Sequence, residues 1–243
     1  MKCHIISITI MLEIFLKDGF YIHFLQAFLY YTTKNIYISS MIAIKMYSVN
    51  YFYWYGHHFT YLKNPRHNWV KQFIRFTDTG HLATILPLFF PSTLPVAHNI
   101  HFIIMAGYWI GKLSFNLKDA DKLNLVDNLG WHTDVCTYIH HSVPYLLIHH
   151  LFSQESQSRS LVCDNEYNSQ SLKYTYGWLY FWLFFIYIPW RTYTGDPVYS
   201  ILDAKQTPKK HIIGFVLFAN ILIYFANRFG HFACELYPKQ IAY

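Results

Sequence analysis

Long apolar stretches separated by short polar segments dominate this chain and predict an all-α membrane protein. Six stretches have about the length of transmembrane helices, at residues 36–55, 76–92, 95–113, 133–152, 176–193 and 211–233. A helix needs about 20 residues to cross roughly 30 Å of hydrocarbon. The pattern therefore predicts a polytopic transmembrane helical bundle with six core helices, surrounded by membrane lipids.

The two ends of the chain fall outside this bundle. In the N-terminal extension, residues 1–35, the first apolar piece is short and is interrupted by Glu13. A signal peptide would have an uninterrupted apolar core and an Ala-x-Ala-like cleavage site, and neither is present. We expect an extra membrane or interfacial helix in this extension, the bundle at 36–233, and a C-terminal tail at 234–243.

The polar segments predict the connections. Pro91 and Pro95 predict a very short hairpin between the second and third stretches, because proline lacks the N–H that a continuing helix needs. Residues 153–173 are typical of a flexible polar loop, and the Gly-Asp-Pro segment at 195–197 is typical of a turn. Lysine and arginine are concentrated in the loops after the first, third and fifth stretches, which predicts that these loops are cytoplasmic.

Composition agrees with a membrane protein. Hydrophobic residues make up 53% of the 243 residues and charged residues only 13%, about half of the roughly 25% found in soluble proteins. Abundant tyrosine and tryptophan suit membrane–water interfaces. The net charge of +6 comes from short clusters beside the apolar stretches. We therefore expect no nucleic-acid partner.

A first polar cluster, Phe76-Thr77-Asp78-Thr79-Gly80-His81, opens the second apolar stretch. A threonine hydroxyl becomes a nucleophile when a base removes its proton, and the usual arrangement is a histidine base oriented by a carboxylate. The alternative is structural. Threonine and aspartate at a helix start can cap free backbone N–H groups and interact favourably with the helix dipole.

A second cluster, His140-His141, lies in the fourth stretch. Adjacent residues point about 100° apart on a helix, so the two histidines cannot serve one role. His141 shares a helix face with Asp134 and Thr137, which would support it as a base. The alternative is a buried histidine bonded to a carbonyl of a neighbouring helix.

Further histidines raise the alternative of a metal-dependent membrane lipid oxidase. His98 and His101 are helical neighbours, and pairs occur at 57–58 and 149–150. Membrane di-iron oxidases carry HxxHH boxes, and this sequence has none. The four cysteines also form no CxxC pair. We expect neither a metal nor another cofactor.

At these residues the chain resembles the androgen-induced membrane hydrolase family, polytopic enzymes that cleave fatty acid esters of hydroxy fatty acids. The resemblance covers residues 36–233 and rests on three short segments. These segments are Phe76-Thr77-Asp78, His140-His141-Ser142-Val143-Pro144, and Trp190 with Thr194-Gly195 and Val198-Tyr199.

The resemblance implies a cofactor-free ester hydrolase that acts on a fatty acyl ester. Thr77 would attack the ester carbonyl, and His141 or His140 would be the base. Asp78 would belong to the same site, and Thr79 competes with Thr77 as nucleophile. The rival hypothesis is a non-enzymatic membrane protein, a transporter or scaffold, whose polar clusters serve as caps and interhelical hydrogen bonds.

Overall fold

The structure, a computed structural model, describes residues 11–13, 15–55, 70–114, 130–154, 165–199, 202–203, 205 and 207–236. Helices joined by short turns account for these residues, and no strand occurs among them, so the all-α prediction is confirmed. Residues 11–13 and 15–17 are helical. The α-helices that follow are α1 (Phe20–Thr33), α2 (Ile36–Tyr55), α3 (Phe76–Ile85), α4 (Leu94–Ser114), α5 (Gly130–Gln154), α6 (Asn165–Phe181), α7 (Ile188–Thr194) and α8 (Lys209–Leu236).

Helix α4 lies at the centre and contacts α3, α5, α6 and α8. Ile100 and Ile104 pack against Ala83 of α3, and Ile103 packs against Ile223 of α8. All five side chains are buried, and burial of apolar surface is the main force that holds such helices together. Helix α4 therefore fixes the positions of α3 and α5, the two helices that carry the predicted site residues.

The second apolar stretch is shorter as a helix than the sequence predicts. Helix α3 ends at Ile85, and its 10 residues span only about 15 Å. Pro87 lies in the following 3-10 turn, because proline cannot continue the α-helical hydrogen bonds. The predicted short connection is present as a second 3-10 turn at Pro91–Thr93, whereas Pro95 already belongs to α4.

The fifth stretch belongs to a longer helical segment than expected. Helix α6 begins at Asn165, so the prediction of a flexible loop over 153–173 is wrong for its second half. A π-helical segment, Trp182–Tyr187, joins α6 to α7. The predicted turn after α7 is confirmed at Gly195, whose φ of 74° is left-handed and whose N–H donates to the Arg191 carbonyl.

A buried ion pair fixes the chain beyond this turn. Asp196 and the Lys71 ammonium lie 2.6 Å apart, and both side chains are almost fully buried. The Trp182 indole N–H donates to the Ile74 carbonyl at 2.7 Å in the same region. These contacts attach the segment that precedes α3 to the end of α7, and so they position the start of α3.

Helix α8 is the one helix in the described residues with the length and apolarity of a membrane span. An 18-residue window of its stretch Lys209–Phe232 has a mean hydropathy of 1.7, and the stretch, at 24 residues, would be about 36 Å long. Ile213, Leu217 and Phe225 are exposed on its surface. The candidate span supports membrane association, and a six-helix crossing stays a prediction.

The N-terminal extension contains α1, which packs antiparallel against α2. The Tyr21 hydroxyl donates to the Asn50 carboxamide oxygen at 3.0 Å. The Gln26 amide donates to the Ser40 hydroxyl at 3.1 Å. Helix α1 is thus attached to the side of α2.

Candidate functional site

Asp78 lies at the centre of the most unusual polar group in the described residues. Its side chain is fully buried in the first turn of α3, between α2, α4 and α5. Of the structural role considered for this cluster, the side-chain cap is absent, whereas the position of Asp78 in the first turn of α3 agrees with the expected interaction with the helix dipole. Arg75 occupies the cap position, and no side chain caps the helix there. The Asp78 carboxylate does not cap the helix, and it contacts side chains in the interior of the bundle instead.

Polar and cationic groups surround the Asp78 carboxylate. The Ser48 hydroxyl of α2 donates a hydrogen bond to its Oδ1. The Lys45 ammonium lies 3.9 Å from Oδ1, and the Arg75 Nε lies 3.8 Å from Oδ2. Two cations at ion-pair distance favour the ionised form of a buried carboxyl group. The site consequently keeps a negative charge inside an apolar bundle.

Two histidines complete the group that we call the Asp78 cluster, namely Asp78, His81 and His140. The Asp78 Oδ1 lies 3.6 Å from His140 Nε2 and 4.0 Å from His81 Nδ1. The two imidazole rings meet edge to face, with centroids 4.3 Å apart. The possible ligand atoms of the three side chains all lie within 4.8 Å of one another.

His101 of α4 supports this cluster from one side. Its ring stacks parallel to that of His81, with centroids 5.6 Å apart. Its Nε2–H donates to the Gly80 carbonyl at 3.0 Å, which fixes the ring and leaves Nδ1 as the lone-pair nitrogen. This contact depends on a close approach of α3 and α4. A Cβ added to Gly80 would lie only 2.4 Å from the Ile104 Cδ1.

Several atoms of the cluster have no hydrogen-bond partner in the described part of the chain. They are Asp78 Oδ2, both ring nitrogens of His81, and His140 Nδ1. Buried polar groups in proteins are nearly always hydrogen-bonded, and each exception carries an energetic cost. The cluster thus has the character of a site for chemistry or a ligand, because the contacts of Asp78 with its neighbouring helices leave several of its polar atoms without a hydrogen bond.

The predicted site residues divide into those that meet Asp78 and those that do not. His140 contacts the carboxylate, but the Nδ1–H of His141 donates to the Thr137 carbonyl of its own helix at 2.8 Å. The His141 ring also stacks on Tyr108, with centroids 4.0 Å apart. The expected polar support of His141 therefore comes from the Thr137 backbone, and the side chain of Asp134 lies outside the described residues.

The two threonines also differ. The Thr79 hydroxyl donates to the Phe76 carbonyl at 3.0 Å within α3. Thr77 is buried at the start of the same helix, and no hydrogen bond of its hydroxyl occurs among the described residues. Neither threonine is hydrogen-bonded to His140 or His141 in this structure.

The sequence placed His81 in the first polar cluster but gave it no role in the site, and it gave no indication of Lys45 and Ser48. His81 follows Asp78 by three residues, and this helical spacing was a usable signal. Lys45 and Ser48 belong to α2, and no local pattern connects them with α3. Of the histidines considered for a metal, 57–58 lie outside the described residues, while His101 belongs to the edge of the cluster.

A second buried polar group, which we call the Asn99 network, joins α4, α5, α6 and α8. It consists of His98, Asn99, Tyr145, Ser171, Thr175 and Asn227. The Asn99 amide donates to the Thr175 hydroxyl and to the Asn227 carboxamide oxygen, both at 3.1 Å. His98 bonds to Asn99 through Nδ1 and to the Tyr145 hydroxyl through Nε2, both at 3.2 Å. This network has the pattern of interhelical hydrogen bonding.

No protein-family model, curated protein or solved structure matches this chain.

Proposed function

We propose that this chain is an integral membrane hydrolase that cleaves fatty acyl esters, with Thr77 as nucleophile and His140 as base. The observation that carries this proposal is the contact between His140 Nε2 and the buried Asp78 carboxylate, in the same first turn of α3 that contains Thr77. A hydroxyl, a histidine and a carboxylate are the parts of a nucleophilic hydrolase. The resemblance to the androgen-induced membrane hydrolases assigns the same threonine.

Local hydrogen bonds support the choice of Thr77 over Thr79 as nucleophile. They also support the choice of His140 over His141 as base. Thr79 donates its hydroxyl proton to a backbone carbonyl, so Thr77 is the better nucleophile. His141 donates its Nδ1–H to the Thr137 carbonyl, and its ring is covered by Tyr108. His140, in contrast, faces the carboxylate that would orient it and stabilise its protonated form.

The reaction proceeds by acyl transfer. The Thr77 Oγ attacks the ester carbonyl while its proton passes to His140, and a tetrahedral oxyanion forms. The intermediate collapses, the alcohol takes the proton from His140 and leaves, and the acyl chain stays on Thr77. Water then attacks the acyl-threonine with His140 as base, and the fatty acid is released. The uncapped backbone N–H groups in the first turn of α3 are suitable donors to the oxyanion.

An acyl substrate suits the surroundings of the cluster. The exterior of the bundle exposes many large apolar side chains, among them Phe184 and Phe185 in the π-helical segment and Phe225 on α8. Apolar exposure of so many large side chains suits a surface that faces lipid. A fatty acyl ester dissolved in the membrane would reach the cluster from such a surface.

Covalent labelling tests this proposal. Membranes that contain the wild-type protein are treated with a lipid-like fluorophosphonate, and labelling is compared with Thr77→Ala and with the matched control Thr79→Ala. We expect labelling of the wild type and of Thr79→Ala, and its loss in Thr77→Ala. Equal labelling of all three proteins would exclude Thr77 as nucleophile, and no labelling of well-folded wild type would favour a transporter or scaffold.

A further inference from the structure

The Asp78 cluster contains one residue that the proposed acyl transfer does not need. His81 has no part in the proposed reaction, yet it is completely buried and faces His140 edge to face. Asp78 and His81 are three residues apart on α3, and His140 comes from α5. Two helices thus bring two imidazoles and one carboxylate together, with all possible ligand atoms within 4.8 Å of one another.

The unpartnered atoms of the cluster are a second, independent indication of a ligand. Both ring nitrogens of His81, Asp78 Oδ2 and His140 Nδ1 have no hydrogen-bond partner among the described residues. Asp78 and His81 are fully buried, and His140 is 8% exposed. A neutral imidazole carries one lone pair, and a carboxylate carries several. Each of the three side chains therefore has a lone pair that a cation could accept.

We propose that Asp78, His81 and His140 bind one divalent transition-metal ion of the zinc type. Two histidines and one carboxylate form a common ligand set for zinc, and a fourth position stays open in such sites. Zinc holds these ligand atoms at about 2.0–2.2 Å, so neighbouring ligand atoms lie about 3.4 Å apart. The side chains would need to close in by about an ångström, which rotation about their χ angles can provide.

A metal ion at this site would replace Lys45 and Arg75 as the main charge partner of the Asp78 carboxylate. The Lys45 ammonium is already hydrogen-bonded to the Gln72 carbonyl at 3.2 Å, and the Arg75 guanidinium lies 5.8 Å from the centre of the Tyr199 ring. Both cations thus have other partners when a metal ion takes the carboxylate. His101, fixed by the Gly80 carbonyl and stacked on His81, would orient the His81 ring.

A bound ion has a direct consequence for the proposed hydrolysis. A metal ion on His140 occupies the lone pair that would accept the proton of Thr77, so metal binding and acyl transfer exclude each other. Zinc would therefore inhibit the enzyme by competing for its base. This consequence rests on the proposed function, but the metal site itself does not.

Metal binding is measured directly on the full-length protein, purified in detergent. The protein is stripped with a chelator, dialysed against Zn²⁺ and analysed for zinc per chain, and Co²⁺ is used to record the visible spectrum of the bound ion. We expect one ion per wild-type chain and loss of this ion in His81→Gln. His81→Cys should restore it, because a thiolate is a good zinc ligand.

Two controls separate this site from other sources of zinc. His150→Ala removes an exposed histidine from the same helix as His140 and should keep the full amount of bound zinc. Thr77→Ala should also keep it, because Thr77 is not a ligand. Wild type without stoichiometric zinc, or His81→Gln with the same zinc content and the same Co²⁺ spectrum as wild type, would overturn the metal site.

The regulatory consequence has its own readout. Zn²⁺ at saturating concentration should suppress fluorophosphonate labelling of the wild type, and a chelator should restore it. Zinc bound to a wild-type protein that the probe never labels would support the metal site and contradict the proposed function. Labelling that persists at full zinc occupancy would contradict the inhibition alone.

Discussion

The Asp78 cluster and the Asn99 network are both buried polar groups in one apolar bundle, and they differ in how their hydrogen bonds are satisfied. In the Asn99 network, one amide reaches α6 and α8 at 3.1 Å, and Ser171 adds a bond to Asn227 at 2.8 Å. In the Asp78 cluster, both nitrogens of His81 have no partner in the described residues. The hydrogen bonds of the Asn99 network thus join four helices, whereas several atoms of the Asp78 cluster stay without a hydrogen bond although Asp78 itself contacts two other helices.

The difference has a physical basis. A satisfied interhelical hydrogen bond stabilises a membrane bundle modestly, by about 0.6 kcal/mol on average, whereas an unsatisfied buried polar group costs about 1–3 kcal/mol. A structure that keeps several such groups together stores a cost that ligand binding or chemistry can offset. We therefore expect substitutions in the Asp78 cluster to lower activity, and substitutions in the Asn99 network to lower the free energy of unfolding.

The largest expected effect concerns the two adjacent histidines. His140→Ala should lower the rate of fluorophosphonate labelling by about 10²–10⁴-fold, the usual effect of losing a general base. His141→Ala should change that rate much less, because His141 is bonded to its own helix. Labelling rates normalised to folded protein check this, and a larger loss in His141→Ala would reassign the base.

A substitution in the Asn99 network should change the stability of the protein and leave its activity unchanged. Asn99→Ala removes the donor to Thr175 and Asn227 and should lower the free energy of unfolding by about 1–3 kcal/mol. The labelling rate of the remaining folded protein should stay unchanged. Reversible unfolding in mixed micelles and labelling of the same sample provide the two measurements. Loss of labelling at wild-type stability would show that the network serves the reaction.

The close approach beneath the Asp78 cluster offers a test of packing. Gly80→Ala places a Cβ within 2.4 Å of Ile104 Cδ1 and 3.1 Å of Ile100 Cγ2. Gly177→Ala is the matched control, because its Cβ would meet nothing within 4 Å. Both changes gain the same helix propensity, so overpacking should make Gly80→Ala less stable than the control by about 1–3 kcal/mol. Equal unfolding free energies would contradict this expectation and would mean that the terminal Cδ1 of Ile104 rotates away at little cost.

The smallest expected effect is that of replacing His81 on the free energy of unfolding. Replacing a buried histidine that is hydrogen-bonded would have a large effect. His81→Leu, measured with a chelator present, should change the free energy of unfolding by no more than about 1 kcal/mol in either direction. The substitution removes two unsatisfied nitrogens and retains apolar contact, which can be nearly neutral. A loss of 3 kcal/mol or more would indicate that His81 has structural partners and would weaken the comparison.

The regular parts of the fold were predictable from local pattern. The apolar stretches at 36–55, 95–113 and 211–233 correspond to α2, α4 and α8, because length and apolarity are local properties. The early end of α3 at Ile85 and the start of α6 at Asn165 were missed. Pro87 was a local signal for the early end of α3. For the second, polar residues at 165–173 form a helix that contacts α4 and α8, and that contact has no local signature.

The sequence by itself determined the helical class, the position of the turn at Gly195 and the two segments that contain Thr77, Asp78 and His140. Only the tertiary structure decided that His140, rather than His141, meets Asp78, and that His81 joins them while Lys45 and Ser48 approach from α2. The reason is that the position of a residue in the sequence determines on which face of its helix it lies. Which residues that face contacts depends on how separate helices pack. Adjacent histidines point in different directions, and only the packing of α5 against α3 selects between them.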